Sequence, residues 1–394
     1  MTTPFQSFWM AGFECADHQN FFGNRVDFAG ITGHRDLLRE DYERLRPFGI
    51  RAVREGIQWS LVEVRPYQYD FSEVARTIHC AQAAGVQVVW DICHFGFPDD
   101  LHPLHPHFAD RFAALCRAFV RFYRDLQPDG ELIITPINEV SFLSWLCGDA
   151  GCAAPWAKGM GWDVKYHLMR SFIQGVYAAR EEDASVKILT TEPLVQIVPE
   201  YGFDDDSHAA AQAAHGEQFQ SLDMLLGRIC PELGGREDLA DILGFNFYYN
   251  NHYSHHTREG LSWCNEPYDE RWLPLDVLLA TAHARYDKPF ILSETSHPGD
   301  HRPQWIQYIG NCCEAALRNG LPLQGVCIYP IIDRPDWDHL AAPWHHSGLW
   351  DAGADYPADG LGRVLNEPFA DALMDAMSRV SHAQRQHAHI DLLM

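Results

Sequence analysis

The feature that most constrains the fold is a repeated alternation of short apolar runs with amphipathic stretches of helical period. Apolar runs favour buried strands, and stretches with apolar residues every three or four positions favour helices that cover a sheet. Eight repeats predict an α/β fold with a parallel sheet, closed as a (β/α)8 TIM barrel. Predicted strands are 7–12, 50–53, 86–91, 132–137, 186–190, 242–247, 290–292 and 325–332, and predicted helices are 36–48, 71–84, 108–126, 162–182, 219–229, 275–286, 305–319 and 368–380.

The chain has 394 residues, a length that single barrels of this kind commonly reach. We therefore predict one domain over residues 1–380, followed by a disordered polar tail over 381–394. Residues 203–216, rich in Asp, Ala and His, are predicted to form a mobile loop. Because no glycine-rich phosphate fingerprint follows the first strand, we expect no dinucleotide and predict no cofactor.

Charge and composition exclude several kinds of partner. The 54 acidic and 30 basic residues give a net charge of −24, which disfavours nucleic acid and anionic membranes. No apolar run is long enough to cross a bilayer, and the N-terminus lacks the pattern of a signal peptide. The 11 cysteines lie mostly in apolar runs and are interpreted as reduced core residues. We therefore predict a cytoplasmic protein, and the sequence leaves open whether it forms a homo-oligomer.

Two glutamates stand at the ends of apolar strands. Glu139 follows Leu-Ile-Ile-Thr-Pro-Ile-Asn, and Glu294 follows Pro-Phe-Ile-Leu-Ser. A charge in such a place is costly unless it faces a cleft. Two carboxylates facing each other across a barrel mouth are what hydrolysis of a glycosidic bond requires, because one protonates the leaving oxygen and the other attacks the sugar carbon.

Other polar and aromatic residues are predicted to share this rim, since barrel enzymes build their sites at the C-terminal ends of the strands. Carboxylates, amides and aromatic rings together suit a polyhydroxylated ligand, so we predict a small carbohydrate or glycoside as substrate. The candidate ligand-binding residues are Glu14, His18, Arg54, His94, Asn138, Asn246, Tyr248, Tyr329, Asp336 and Trp337.

Two segments carry a specific resemblance. Residues 135–140 (Thr-Pro-Ile-Asn-Glu-Val) resemble the Thr-x-Asn-Glu-Pro motif of glycoside hydrolase family 1, the β-glucosidase type. Residues 291–296 (Ile-Leu-Ser-Glu-Thr-Ser) resemble the Ile-Thr-Glu-Asn-Gly motif of the same family. Further segments that resemble the family in the same order are 54–59 (Arg-Glu-Gly-Ile-Gln-Trp), 94–98 (His-Phe-Gly-Phe-Pro), 244–249 (Gly-Phe-Asn-Phe-Tyr-Tyr) and 333–337 (Asp-Arg-Pro-Asp-Trp).

The resemblance implies a role for each matched residue. It implies that Glu139 is the general acid/base and Glu294 the nucleophile of a retaining, exo-acting β-glycosidase. The other implied roles are Asn138 on the sugar 2-hydroxyl, Arg54 and Tyr248 beside the nucleophile, His94 on the sugar, and Asp336 with Trp337 on the distal hydroxyls. For Glu139 to act as an acid, its pKa must lie near neutral pH, whereas Glu294 must stay ionised.

The chain also departs from the family pattern. Val140 stands where the family has Pro, Thr295-Ser296 replaces Asn-Gly, Tyr329 replaces a Trp, and Asp336 is shorter than the family's Glu. The strand-one Gln of the family has no evident match, and Glu14 or His18 are the candidates to replace it. The catalytic core is thus expected to be intact and the sugar-recognition shell altered.

Three alternatives follow from the same residues. The altered shell is compatible with a transglycosidase that uses an acceptor other than water, or with a catalytically inactive carbohydrate-binding barrel. The 22 histidines suggest a metal-dependent hydrolase as the third alternative. However, no His-Glu-x-x-His motif occurs, and we predict no metal site. Of the two histidine clusters, the one at 102–107 is predicted to be solvated, and the one at 252–256 could line a pocket for the leaving group.

Overall fold

The computed structural model describes residues 3–202, 204–264, 269–353 and 362–391. Its central feature is a curled parallel sheet, which confirms the predicted (β/α)8 barrel in a single domain. The strands of this sheet are β1 (Trp9–Gly12), β2 (Ala52–Gly56), β3 (Gln87–Cys93), β4 (Ile133–Ile137), β5 (Lys187–Ile188), β6 (Glu192–Pro193), β7 (Leu243–Asn246), β8 (Phe290–Thr295) and β9 (Leu323–Ile328).

The barrel closes through its fifth stave, which is split into two short strands. Strand β5 pairs with β4 and strand β6 pairs with β7, so the two ends of the sheet are consecutive segments of one chain stretch. Between them, Leu189 forms a parallel bridge with Ile242. The order around the barrel is therefore β1, β2, β3, β4, β5/β6, β7, β8, β9 and back to β1.

Helices surround the barrel and cover the apolar outer faces of its strands. Long helices such as Phe108–Leu126 and Gly161–Glu182 present buried Leu, Val, Phe and Ile side chains to the sheet and to each other. The helices are α1 (Phe28–Ile31), α2 (Leu38–Leu45), α3 (Trp59–Val62), α4 (Ser72–Ala84), α5 (Phe108–Leu126), α6 (Val140–Ser144), α7 (Gly161–Glu182), α8 (Asp205–Gly216), α9 (Gln220–Leu225), α10 (Leu275–Tyr286), α11 (Arg302–Arg318) and α12 (Glu367–Asp391).

The inside of the barrel is layered, and the layers decide where the chemistry lies. One residue from each stave forms an apolar layer that seals the interior: Met10, Ala52, Val89, Ile133, Leu189, Ile242, Ile291 and Cys327. Because side chains alternate along a strand, the next inward layer lies two residues further on. That layer is mostly polar and contains Arg54, Asp91, Thr135, Thr191, Ser293 and Tyr329. The C-terminal ends of the strands therefore carry polar and charged groups on one side of this apolar layer.

Two segments differ from the sequence prediction. Residues 205–216, predicted as part of a mobile loop, form helix α8, while residue 203 lies outside the described part of the chain. Asp204 caps this helix by accepting a hydrogen bond from the Ser207 backbone N–H, and the alanines that follow have the highest helix propensity.

Residues 381–391, predicted to begin a disordered tail, continue helix α12, which packs against α11. Its apolar side is extended by Val380 and Ala383, both buried. Within the described residues, none of the helices combines the length and the apolar character that a bilayer span needs.

Candidate active site

A cavity of about 1180 Å³ opens at the C-terminal ends of the barrel strands. Seven of the twelve residues predicted from the sequence line it: Glu14, His94, Glu139, Tyr248, Glu294, Tyr329 and Trp337. The remaining five are Arg54, Asn138 and Asn246, which are buried behind the lining, and His18 and Asp336, which lie to one side. Both candidate catalytic glutamates thus face one cavity.

Glu294 is held by hydrogen-bond donors on two sides. Arg54 donates from Nη1 to Glu294 Oε1 at 2.9 Å, and the Tyr248 hydroxyl donates to Oε2 at 2.7 Å. Burial, followed by the charge of Glu294, raises the pKa of Tyr248 well above its usual value, so this phenol keeps its proton and remains a donor. Both oxygens of Glu294 are therefore bound by donors, one of which is a buried cation.

Glu139 lies in the opposite environment. Among the described residues, its one hydrogen bond from a side chain comes from Asn246 Nδ2 to Oε1, at 2.9 Å. Burial, and then the negative charge of Glu294, raises the pKa of Glu139 to about 8. The carboxyl group is therefore protonated at neutral pH, as a proton donor requires.

The backbone at Glu139 is also unusual. Its φ of 45° and ψ of 59° are in the left-handed region, where a residue other than glycine costs of order 1–3 kcal/mol. Glu139 stands between the end of β4 and the start of α6, and its N–H donates to Thr191 O at 2.8 Å. The turn directs its side chain into the cavity.

Arg54 is the centre of a buried polar network. The guanidinium is fully buried and also donates from Nη2 to Asp91 Oδ2 at 2.6 Å and to Asn138 Oδ1 at 3.1 Å. Asp91 Oδ2 in turn lies 2.9 Å from His94 Nδ1, and Asn138 Nδ2 lies 3.2 Å from His94 Nε2. Burial opposes ionisation of Asp91, but Arg54 and His94 outweigh it and lower the pKa of this carboxyl. The network fixes the His94 ring at the cavity wall.

Tyr329 forms part of the cavity floor. Its ring is parallel to that of His94 at a centroid separation of 5.5 Å, and its hydroxyl donates to Glu14 Oε1 at 3.3 Å. A Cβ at residue 12 would lie 2.0 Å from the Tyr329 ring, so the glycine there makes this position possible. Glu14 also pairs with Arg334 at 2.9 Å. Glu14 thus lies among Tyr329, Arg334 and His94, whose Nε2 is 3.8 Å from Glu14 Oε1.

Trp337 and His18 lie together at another wall. Their ring centroids are 5.0 Å apart, and Trp337 also packs on Phe95. Burial lowers the pKa of His18 to about 3, so its ring is neutral. Trp337 Nε1 and His18 Nδ1 have no hydrogen-bond partner among the described residues. Trp337 lines the cavity, but its indole N–H is itself buried.

Asp336 is engaged within its own loop. Its carboxylate accepts from the backbone N–H groups of Asp338 and His339 and lies 3.3 Å from His345 Nε2. It does not line the cavity, so its role in binding remains a prediction. Of the second histidine cluster, His252 is buried and stacks on Trp272 at 3.6 Å, while Tyr253 lines the cavity.

Sequence reasoning missed one carboxylate close to this site. Glu192, on β6, is buried, and its Oε2 accepts a hydrogen bond from the Ser141 backbone N–H at 3.1 Å. Its signal was the same as that of the two chosen glutamates, because it follows the apolar run Ile188-Leu189 at the end of a strand. The predicted fifth strand stopped at Thr190, which placed Glu192 beyond the strand end.

Two clusters in the described part of the chain bring potential metal ligands within 4.8 Å of one another: Cys15, Asp91 and His94, and Asp333, His346 and Asp351. In each cluster an arginine already binds a carboxylate. Arg54 binds Asp91, and Arg302 binds Asp351 at 2.6 Å. Both arrangements are therefore ion-pair networks whose carboxylate charge is compensated.

Comparisons with known proteins establish the fold class. No sequence-family profile matches the chain, and no curated protein sequence matches it. Solved structures, in contrast, match the chain in fold. The family 1 β-glucosidase from Thermotoga maritima in complex with isofagomine lactam superposes with a TM-score of 0.71 at 15% identity, covering 89% of this chain and 88% of that chain.

A second solved structure covers more of the chain. The AHE enzyme from Alicyclobacillus herbarius superposes with a TM-score of 0.70 at 16% identity, covering 96% of this chain and 98% of that chain. The T. maritima enzyme in complex with cyclophellitol gives a TM-score of 0.70 at 15% identity. The protein thus shares the barrel architecture of these proteins over nearly its whole length.

Proposed function

We propose that this protein is a retaining, exo-acting β-glycosidase. The observation that carries the proposal is that Glu139 and Glu294 face one cavity in opposite electrostatic settings. Glu139 has a raised pKa, whereas Glu294 is bound by Arg54 and Tyr248. One carboxyl group that holds its proton beside one that is stabilised as an anion suits double displacement at a sugar carbon.

In the first step, a Glu294 oxygen attacks the anomeric carbon while Glu139 gives its proton to the departing oxygen. A covalent glycosyl-enzyme forms and the leaving group departs as an alcohol. In the second step, Glu139, now ionised, removes a proton from water, which attacks the same carbon and releases Glu294. Two displacements give a product with the configuration of the substrate.

The surrounding residues suit a terminal sugar. Tyr329, His94 and Glu14 line the cavity together with the two glutamates, and the Tyr329 hydroxyl lies within hydrogen-bond distance of the other two. These side chains offer polar groups to the hydroxyls of a sugar bound there. Trp337 also lines the cavity, so its ring can contact the C–H face of the sugar. At 15% identity the likeness to the T. maritima β-glucosidase supports this barrel and does not identify the sugar.

The test is a panel of aryl β-glycosides that differ only in the sugar, assayed with the wild type and Glu294→Ala. We expect turnover of at least one glycoside by the wild type and none by the variant. The exposed Glu181, which pairs with Arg117, provides the control variant Glu181→Gln, whose activity should be unchanged. Unimpaired turnover by a folded Glu294→Ala protein would contradict the proposal.

Three further measurements separate the alternatives. Proton NMR of the first-formed sugar should give the β-anomer, and an α-anomer would contradict retention. Labelling by a 2-fluoro-glycoside should modify Glu294, whereas sugar binding without labelling or turnover would indicate an inactive carbohydrate-binding barrel. Products that carry an added acceptor in place of water would indicate a transglycosidase.

A further inference from the structure

Glu192 is a third buried carboxylate beside the candidate catalytic pair, and the proposed reaction does not use it. It lies on β6, in register with Phe245 of β7, and is only 4% exposed. It does not line the cavity, so it does not contact a sugar directly. Burial of a carboxylate is costly unless it is hydrogen-bonded or paired.

Glu192 and its neighbour Thr191 bind the backbone at and just after Glu139. Thr191 O accepts the Glu139 backbone N–H at 2.8 Å, and Glu192 Oε2 accepts the Ser141 backbone N–H at 3.1 Å. Two adjacent residues of the fifth stave thus bind the chain on both sides of the left-handed turn at Glu139. Such a backbone conformation persists only where its surroundings hold it.

Glu192 also acts on Glu139 through its charge. The charged and titratable groups that face Glu139 are Glu294 from β8, Glu192 from β6, His94 after β3 and Tyr248 after β7. Both glutamates raise the pKa of Glu139, and His94 lowers it.

The charge of Glu192 is itself set by its surroundings. Burial raises the pKa of Glu192 to about 7. The Ser141 and Val140 backbone N–H groups and the Lys165 ammonium on α7 act in the opposite direction and lower it. Glu192 is therefore ionised above neutral pH, in the range where Glu139 would otherwise lose its proton.

We propose that Glu192 is a positioning residue, which holds the turn that aims Glu139 and uses its negative charge to keep Glu139 in the proton-donating form. This inference rests on the proposed glycosidase function. It assigns Glu192 an effect on proton donation alone, since the residue has no contact with Glu294 or with the floor of the cavity. The effect should therefore depend on how much help the leaving group needs.

The experiment compares Glu192→Ala and Glu192→Gln with wild type on glycosides whose leaving groups differ in basicity. A dinitrophenolate departs without protonation, whereas an alkoxide does not. For Glu192→Ala we expect kcat/KM to fall about tenfold or more with an alkyl glycoside and less than about threefold with the dinitrophenyl glycoside, the range of general acid catalysis. An equal loss on both substrates would overturn the proposal, since it indicates a structural role.

Glu192→Gln separates the two parts of the proposed role. The amide oxygen can still accept from Ser141 N–H, but the negative charge is gone. We expect the basic limb of the kcat/KM profile to move to lower pH by about half a unit or more, because a like charge that raised the pKa of Glu139 has been removed. A profile that coincides with that of the wild type would overturn the electrostatic part.

Controls keep these outcomes distinct. Thermal unfolding of both variants checks that the fold is intact, and Glu181→Gln again removes a distant carboxylate. A wild type without turnover of any glycoside would overturn the proposed function and this inference with it. A wild type that is active, with both Glu192 variants unchanged on the alkyl glycoside, would overturn the inference alone.

Discussion

Arg54 and Glu294 are joined across the barrel by a hydrogen bond of 2.9 Å between Nη1 and Oε1. The same guanidinium binds Asp91 at 2.6 Å, and all three side chains are buried. One cation therefore compensates two carboxylates from strands β3 and β8. Removal of one partner from a buried ion pair costs more than the pair itself contributes, because the remaining charge is left in a medium of low dielectric.

We expect Arg54→Ala to lower the free energy of unfolding by about 3–5 kcal/mol, as measured by urea denaturation. Arg54→Lys keeps the charge but not the planar fork that reaches both carboxylates. It should recover part of the stability while kcat/KM on aryl glycosides stays well below that of the wild type. Full activity in Arg54→Lys would contradict a role for the fork.

Tyr248→Phe removes only the hydroxyl that binds Glu294 Oε2 at 2.7 Å. A hydrogen bond to a charged group contributes about 1.5–3 kcal/mol, which corresponds to roughly a 10- to 150-fold loss in kcat/KM. The ring is retained, so the thermal midpoint should change little. Steady-state kinetics and a melting curve test this, and an unchanged kcat/KM would show that the bond does not assist Glu294.

The pH profile should report the proton on Glu139. An acid must be protonated to act, and the pKa of Glu139 is raised to about 8, so kcat/KM should fall as pH rises through that value. In Glu139→Gln the amide cannot donate a proton to the leaving group as an acid does. We expect low activity without this basic limb, and a limb that survives the substitution would assign the ionisation to another group.

A second ionisable cluster should govern stability. His34 lies between Asp41, at 2.8 Å, and Glu55, at 2.9 Å. Burial opposes its charge, but the charge of Glu55 and the hydrogen bonds that the ring donates to both carboxylates raise the pKa of His34 to about 9. The resulting stabilisation is fully present below the unfolded pKa of about 6.5 and is lost as pH rises through about 9.

His34→Gln should therefore lower the free energy of unfolding by about 1–3 kcal/mol at pH 6. The difference from wild type should shrink toward pH 10, because the wild-type protein itself loses the charged imidazolium. Urea unfolding at pH 6, 8 and 10 measures this. A difference that stays constant across the three values would contradict a charged His34.

Local pattern was enough to place both catalytic candidates. A carboxylate directly after an apolar strand has few low-energy places to go, and the end of a barrel strand is one of them. The same argument located His94 and Tyr248, since their strands also end at the cavity. Helices α5 and α10 were predicted with their observed bounds because apolar periodicity and turn residues mark both ends.

The sequence prediction missed helix α8 and Glu192 because the apolar pattern is weak or interrupted at both places. Helix α8 has few buried residues to give a periodic pattern, and its Asp204 cap and alanines carry the signal instead. Glu192 was missed because the fifth stave is split, so its apolar run ends early. The role predicted for Asp336 stays a prediction, since its carboxylate is bound within its own loop by His339 and His345.

The left-handed turn at Glu139 has a consequence for the rate of reaction. The Thr191 carbonyl and the Glu192 carboxylate accept the backbone N–H groups of Glu139 and Ser141 and so fix the direction of this side chain, while Asn246 fixes its tip. The loss of conformational freedom needed to aim the proton is thus incurred once, when the polypeptide folds, and is not repeated in each catalytic cycle. Glycine at position 138 or 140 would restore conformational freedom to this turn. The activation entropy of the reaction would then become more unfavourable.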